Sequence, residues 1–90
     1  MYYVYILYSE KYDKYYIGQT DNLEFRMKRH NEGKVRYTKI YIPWKLEYYE
    51  EFNSRGEAMK REKFLKKQKN KGYYKKIIDS SIGRVPMSRD

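Results

Sequence analysis

The sequence predicts a small α+β domain: a three-stranded sheet with helices packed on it. Three observations predict it. The first twenty residues hold two short aromatic and aliphatic runs separated by a polar turn, and a third such run lies near residue 50. The segments between and after them carry helix caps, helical apolar spacing and glycine or asparagine stops.

Residues 2–8 (Tyr-Tyr-Val-Tyr-Ile-Leu-Tyr) are aromatic or aliphatic throughout, so they read as a strand covered on both faces. Ser9 to Lys14, with Asp13, is a polar turn, and residues 15–19 return as the second strand of a hairpin. Asp21 or Asn22 caps a helix over residues 22–32, with Leu23 and Met27 as its buried i, i+4 pair. Gly33 stops that helix. Residues 34–44 lack periodicity and end in Pro43-Trp44, which predicts a loop.

A third strand covers residues 45–52. Ser54-Arg55-Gly56-Glu57 has the spacing of a capping box and starts a helix over residues 55–69. Asn70 to Gly72 breaks it, a short helix follows over residues 73–79, and residues 80–90 read as a flexible tail. The expected organisation is one domain over residues 1–79 followed by that tail, without internal repeats.

A chain of 90 residues allows one small domain with a modest core. Thirteen tyrosines make that core feasible in a chain with 37% charged residues, because each buries a large ring while keeping its hydroxyl near water. The absence of cysteine excludes disulfides and thiolate metal sites. No apolar run approaches the roughly 20 residues of a membrane span. Residues 1–20 lack the basic-then-apolar layout of a secretion signal. The expectation is a soluble, cytoplasmic protein without membrane partners.

The net charge of +9 is unevenly spread. Residues 60–76 hold Lys60, Arg61, Lys63, Lys66, Lys67, Lys69, Lys71, Lys75 and Lys76 against Glu62 alone. A face this basic suits a polyanion, nucleic acid above all; the plainer alternative is a solvated lysine-rich helix surface. Phosphate contacts of this kind give affinity without sequence preference.

On the first helix Arg26 and His30 are four apart and project from one face, at the edge of the Leu23 and Met27 stripe. An arginine fork grips a phosphate at two points. A histidine near its ordinary pKa donates to a phosphate oxygen or hands over a proton. Glu62 interrupts the apolar arc of the later helix, since Ala58 and Leu65 lie within about 20° of each other on the wheel and Glu62 falls beside them. Such a carboxylate needs a partner: Arg26, a lysine or a metal. One carboxylate with waters and a substrate phosphate oxygen suits Mg²⁺ or Mn²⁺.

Tyr3-Val4-Tyr5, Tyr16-Ile17-Gly18, Arg26, His30 and Glu62 together resemble the GIY-YIG nuclease domain. Tyr3 stands where the family often has glycine. Asp21 to Arg26, His30 to Gly33 and Glu57 to Lys63 are also similar to that family, so the resemblance spans about residues 2–78. Its strongest likeness is to short, stand-alone members.

The resemblance implies that the three-stranded sheet is antiparallel and that the activity is metal-dependent hydrolysis of a DNA phosphodiester, using Mg²⁺ or Mn²⁺. One active site cuts one strand, so the expectation is nicking, in DNA repair or recombination. Position by position, Tyr5 matches the first motif tyrosine, a general base in some relatives. Tyr16 matches the second, which orients water or phosphate and serves as base in the excision-repair relatives; Tyr5 is the preferred choice here. By the same likeness Arg26 stabilises the phosphate, His30 stands where relatives carry His or Tyr, and Glu62 holds the metal. Asn70 corresponds to a supporting asparagine, and Gln19 replaces a lysine found in some relatives. A tyrosine with an ordinary pKa of about 10 acts as a base only beside cations.

The expected nucleic-acid contacts are Arg26, Lys60, Lys63, Lys66, Lys67 and Asn70, with DNA as the partner and the chain as a monomer or weak homodimer. Two other classes stay open. One is a basic DNA-binding module without turnover, which would bind DNA with and without Mg²⁺ and release no product. The other is a protein-interaction adaptor using exposed aromatics, whose binding would survive high salt.

Overall fold

The computed structural model describes residues 1–81. Strands β1 (Tyr2–Ser9) and β2 (Lys14–Thr20) are followed by α1 (Leu23–Asn31), β3 (Lys45–Phe52), α2 (Arg55–Gln68) and α3 (Lys71–Asp79). The three strands form one antiparallel sheet in the order β2-β1-β3. β1 is central because it alone is apolar on both faces: Val4, Tyr5, Ile6 and Leu7 are consecutive and all buried.

Alternation along β1 divides the core in two. Val4 and Ile6 face α2 and α3, packing with Ile17, Tyr48, Ala58, Leu65 and Tyr74. Tyr5 and Leu7 face the other way, packing with Leu23 of α1 and with Trp44. Burial of each large side chain contributes about 1.5–3 kcal/mol, so both layers are needed to hold a domain this small. A register shift between Ile6 and Leu7 lets β3 place Tyr48 on one face and Leu46 on the other.

The helix starts follow the sequence. Asn22, not Asp21, caps α1 by accepting from the Phe25 amide, and Ser54 caps α2 by accepting from the Glu57 amide. The junction of α2 and α3 differs from expectation. Lys69 takes a left-handed conformation (φ 44°, ψ 43°), and Asn70 at once caps α3 by accepting from the Tyr73 amide. Gly72 therefore lies inside α3 and breaks nothing. A lysine in a position that favours glycine gives no compositional signal.

The predicted loop over residues 34–44 is ordered by side chains. It contains a single 3-10 turn over Lys39–Tyr41. The Asn31 side-chain amide accepts from the Trp44 backbone N–H at 2.7 Å and donates to the Trp44 carbonyl at 3.0 Å, while the Trp44 indole donates to the Thr38 carbonyl at 2.9 Å. Ser80 and Ser81 close α3 by bonding back to it. The rest of the expected tail, residues 82–90, lies outside the described residues. Among those described, no helix is long and apolar enough to cross a membrane.

Candidate active site

Tyr5 on β1 lies opposite Gly18 on the edge strand β2, and Leu7 lies opposite Tyr16. The Tyr5 ring leans across Gly18 so closely that a Cβ there would fall 2.5 Å from Tyr5 Oη and 3.0 Å from Tyr16 Cε2. Gly18 is thus the gap through which the phenol reaches its position over the sheet edge. The rings of Tyr5 and Tyr16 are 6.4 Å apart, and both contact His30 edge-on.

Two charged groups from different helices act on the Tyr5 hydroxyl. Arg26 of α1 attracts it by charge and by a hydrogen bond, and Glu62 of α2 lies within electrostatic reach. Burial dominates nevertheless, with repulsion from Tyr16 next, and the Tyr5 phenol is pushed well above the ordinary tyrosine range. The other four expected catalytic side chains, Tyr16, Arg26, His30 and Glu62, therefore all act on the Tyr5 hydroxyl, His30 by direct contact.

His30 differs from expectation. It does not share a surface with Arg26 but is fully enclosed, with no exposed area to meet a phosphate oxygen. Its Nδ1 is 2.8 Å from Thr38 Oγ1 and its Nε2 is 2.9 Å from Tyr5 Oη. Thr38 Oγ1 donates to the Val35 carbonyl, which assigns the imidazole proton to Nδ1 and leaves Nε2 to accept from Tyr5. Burial first, then repulsion from Arg26 and Arg29, lowers its pKa to about 4, so the ring is neutral near pH 7. An i, i+4 pattern could not show this, because the partner Thr38 comes from the following loop.

Glu62 is half-buried and pairs with Lys66 one turn on, at 3.0 Å. Lys66 is half-exposed, and such a pair contributes about 0–1 kcal/mol, so a divalent ion can displace it. Among the described residues no group of three or more His, Cys, Asp or Glu could hold a metal. One hard carboxylate paired with a half-exposed lysine nevertheless fits Mg²⁺ or Mn²⁺ completed by waters and substrate phosphate. Gln19 has its Oε1 buried without a hydrogen-bond partner among the described residues.

The expected nucleic-acid contacts divide. Lys66 and Asn70 line a groove beside Tyr16, together with Tyr37, Lys14, Lys69 and Lys71. Lys60, Lys63 and Lys67 are exposed but fall roughly 100–160° around α2 from Glu62, on another face. Asn70 spends its Oδ1 on the α3 cap. Sequence reasoning missed Thr38 and Tyr37, for which a lone threonine and one tyrosine among thirteen offer no signal.

A tyrosine pair on a β2-β1-β3 sheet, with an arginine from one flanking helix and a glutamate from the other, is the small α+β arrangement that the resemblance to the nuclease domain predicts. A family model described as the GIY-YIG catalytic domain matches residues 1–76, and the chain belongs to the GIY-YIG family, which is one of nucleases. Its relatives are UPF0213 proteins. It is 47% identical to one from Bacillus licheniformis over 66% of this chain and 64% of that protein, so it spans just under two thirds of that relative's length. It is 47% identical to one from Clostridium perfringens over 74% of this chain and 72% of the relative. The solution NMR structure of a UPF0213 protein from Bacillus halodurans superposes with a TM-score of 0.54 at 30% identity, covering 92% of this chain and 88% of that one.

Proposed function

We propose that this chain is a divalent-metal-dependent endonuclease that hydrolyses a DNA phosphodiester and nicks one strand per encounter. The observation that supports it best is the company of the Tyr5 hydroxyl: a neutral imidazole behind it, Arg26 beside it, and Tyr16 and Glu62 within electrostatic reach. Mg²⁺ or Mn²⁺ held by Glu62 would supply Lewis-acid polarisation of the phosphate and neutralise the leaving oxygen.

The chain's own residues do the rest. Arg26 offers a fork that binds the phosphate and follows the charge growing on it, a task that needs no proton transfer. Tyr5, kept protonated by burial, does not rest as a phenolate. It takes a proton from the attacking water while passing its own to His30 Nε2; the lowered pKa of that buried imidazole makes its charge transient, and the proton returns through Tyr5 to solvent. The water oxygen joins phosphorus as the bond to the leaving oxygen breaks, and that oxygen takes a proton from solvent. Tyr16, at the groove, orients water or phosphate. Lys66 and Asn70 guide the strand, and Lys60, Lys63 and Lys67 extend the basic field beyond the site. One such site cuts one strand, which suits a monomer or weak homodimer acting in DNA repair or recombination in the cytoplasm.

The test is nicking of supercoiled plasmid by purified protein. With Mg²⁺ the wild type accumulates open circles, and without it none form. Glu62→Ala and Arg26→Ala each lose about 10²-fold or more in rate while keeping the wild-type circular dichroism. Undiminished nicking by Glu62→Ala refutes the site. Binding of DNA without product by the wild type instead makes the chain a DNA-binding module.

A further inference from the structure

We propose that the groove beside Tyr16 takes an unpaired nucleotide of the strand being cut, so that single-stranded DNA segments are preferred over continuous duplex. This rests on the nuclease reading above and names the strand that its site receives. The groove has a volume of about 740 Å³ and lies between β2, Tyr37 and the junction of α2 with α3. That is within the roughly 300–1,000 Å³ of pockets that hold small ligands, large enough for one nucleotide and its neighbours in part. Its cations are Lys14, Lys66, Lys69 and Lys71, and no carboxylate lines it among the described residues. Lys66 and Lys71 are paired with Glu62 and Asp13 at its margins, through exposed ammonium groups that a phosphate can recruit.

The aromatic rings decide which strand fits. Tyr37 is 61% exposed, and its ring stands 5.9 Å from Tyr16 on one side and 6.2 Å from Tyr41 on the other. Tyr12, 43% exposed, continues the series 5.5 Å from Tyr41. Lys14 lies over the Tyr41 ring and Lys11 over the Tyr12 ring. A track of tyrosines flanked by lysines thus runs outward from the active-site Tyr16. Tyr37 is also presented by anchored backbone, since the next residue, Thr38, is fully buried and bonded to both His30 and Trp44. The backbone that carries the ring is thus fixed before binding, which lowers the ordering cost.

Exposed aromatic faces gain from nucleic acid only when a base face is free to stack on them. In duplex DNA both faces of each base are covered by neighbours, and a duplex would use the lysines alone. Lys69, whose left-handed φ of 44° ends α2 where glycine would be less strained, also lines the groove.

The experiment is fluorescence anisotropy in EDTA, which keeps strands intact. The probes are a labelled strand of about 12 nucleotides without self-complementarity, within the ~4–16 nucleotides that such surfaces cover, and the duplex of the same sequence. The wild type binds the single strand more tightly. Tyr37→Ala weakens single-strand binding by about 5- to 150-fold and duplex binding far less, while Tyr37→Phe keeps the preference. Lys69→Gly leaves the melting temperature equal or higher, weakens single-strand binding and lowers the salt slope by about one. Equal affinity for strand and duplex, or equal losses on both with Tyr37→Ala, overturns the proposal. Cleavage is scored separately with Mg²⁺. Strand preference without cleavage of any substrate sinks the nuclease reading and leaves this one; cleavage without strand preference does the reverse.

Discussion

Replacing Gly18 by alanine isolates the contact on which the site's geometry depends. Gly18 does not have a positive φ, so backbone considerations alone favour alanine by about 0.5–1 kcal/mol. The side chain reverses that sign. A Cβ would meet Tyr5 Oη at 2.5 Å and Tyr5 Cζ at 2.6 Å, against the 3.4 Å or more of ordinary contact. The phenol must move by close to an ångström, and Tyr5 is 1% exposed with packed neighbours on both sides. Overpacking of this kind costs about 1–3 kcal/mol, and loosening the Tyr5–His30 bond adds a share of the ~1–3 kcal/mol of an unsatisfied buried group. The net expectation is about 2–4 kcal/mol, a fall of roughly 1–2 M in urea midpoint at a slope near 2 kcal/mol/M. Gly56 provides the control: a Cβ added there, in the first turn of α2, would meet nothing within 4 Å, so Gly56→Ala stabilises by about 0.5–1 kcal/mol. Urea unfolding of the two variants beside the wild type decides it. A Gly18→Ala protein as stable as wild type, or more so, would refute the close approach of Tyr5.

His30 is the chain's one histidine, so its ring signals in an NMR titration are unambiguous. They should titrate near pH 4, not near 6.5. The unfolded chain then binds the extra proton first on acidification, so this contribution to stability is present above pH 6.5 and is lost as pH falls toward 4. It amounts to on the order of 3 kcal/mol; an ordinary midpoint would contradict the enclosure of the imidazole. Asn31→Ala strips both side-chain bonds from the Trp44 backbone and should lower stability by about 1–3 kcal/mol, or roughly 5–15 °C in melting temperature by calorimetry. An unchanged melting temperature would mean that this pair does not hold the loop.

The sheet and its helices were legible because each announces itself locally. A run with no polar position is a central strand, and Asn22 and Ser54 stand where caps must stand. The site was legible in part and for a different reason. Tyr5 and Tyr16 are two of thirteen tyrosines, and only the family resemblance singled them out. Glu62 was visible as a polar break in a helical stripe, and Arg26 as a charge at the edge of another. What periodicity could not supply is depth: His30 shares a helix face with Arg26 on a wheel, yet Thr38 and Tyr5 enclose it completely. The loop over residues 34–44 was opaque because its order comes from Asn31, Thr38 and Trp44 pairing across the chain. The groove went unseen because Lys14, Tyr37 and Lys69 come from three segments that only the fold joins.

Anomalous diffraction from a crystal of this chain soaked with Mn²⁺ and a short DNA strand tests the convergence of these side chains most directly. A manganese peak on the Glu62 carboxylate, with one phosphate between it, Arg26 and the Tyr5 hydroxyl, is the predicted result. Manganese and phosphate settling elsewhere, with Glu62 still held by Lys66, would contradict the account.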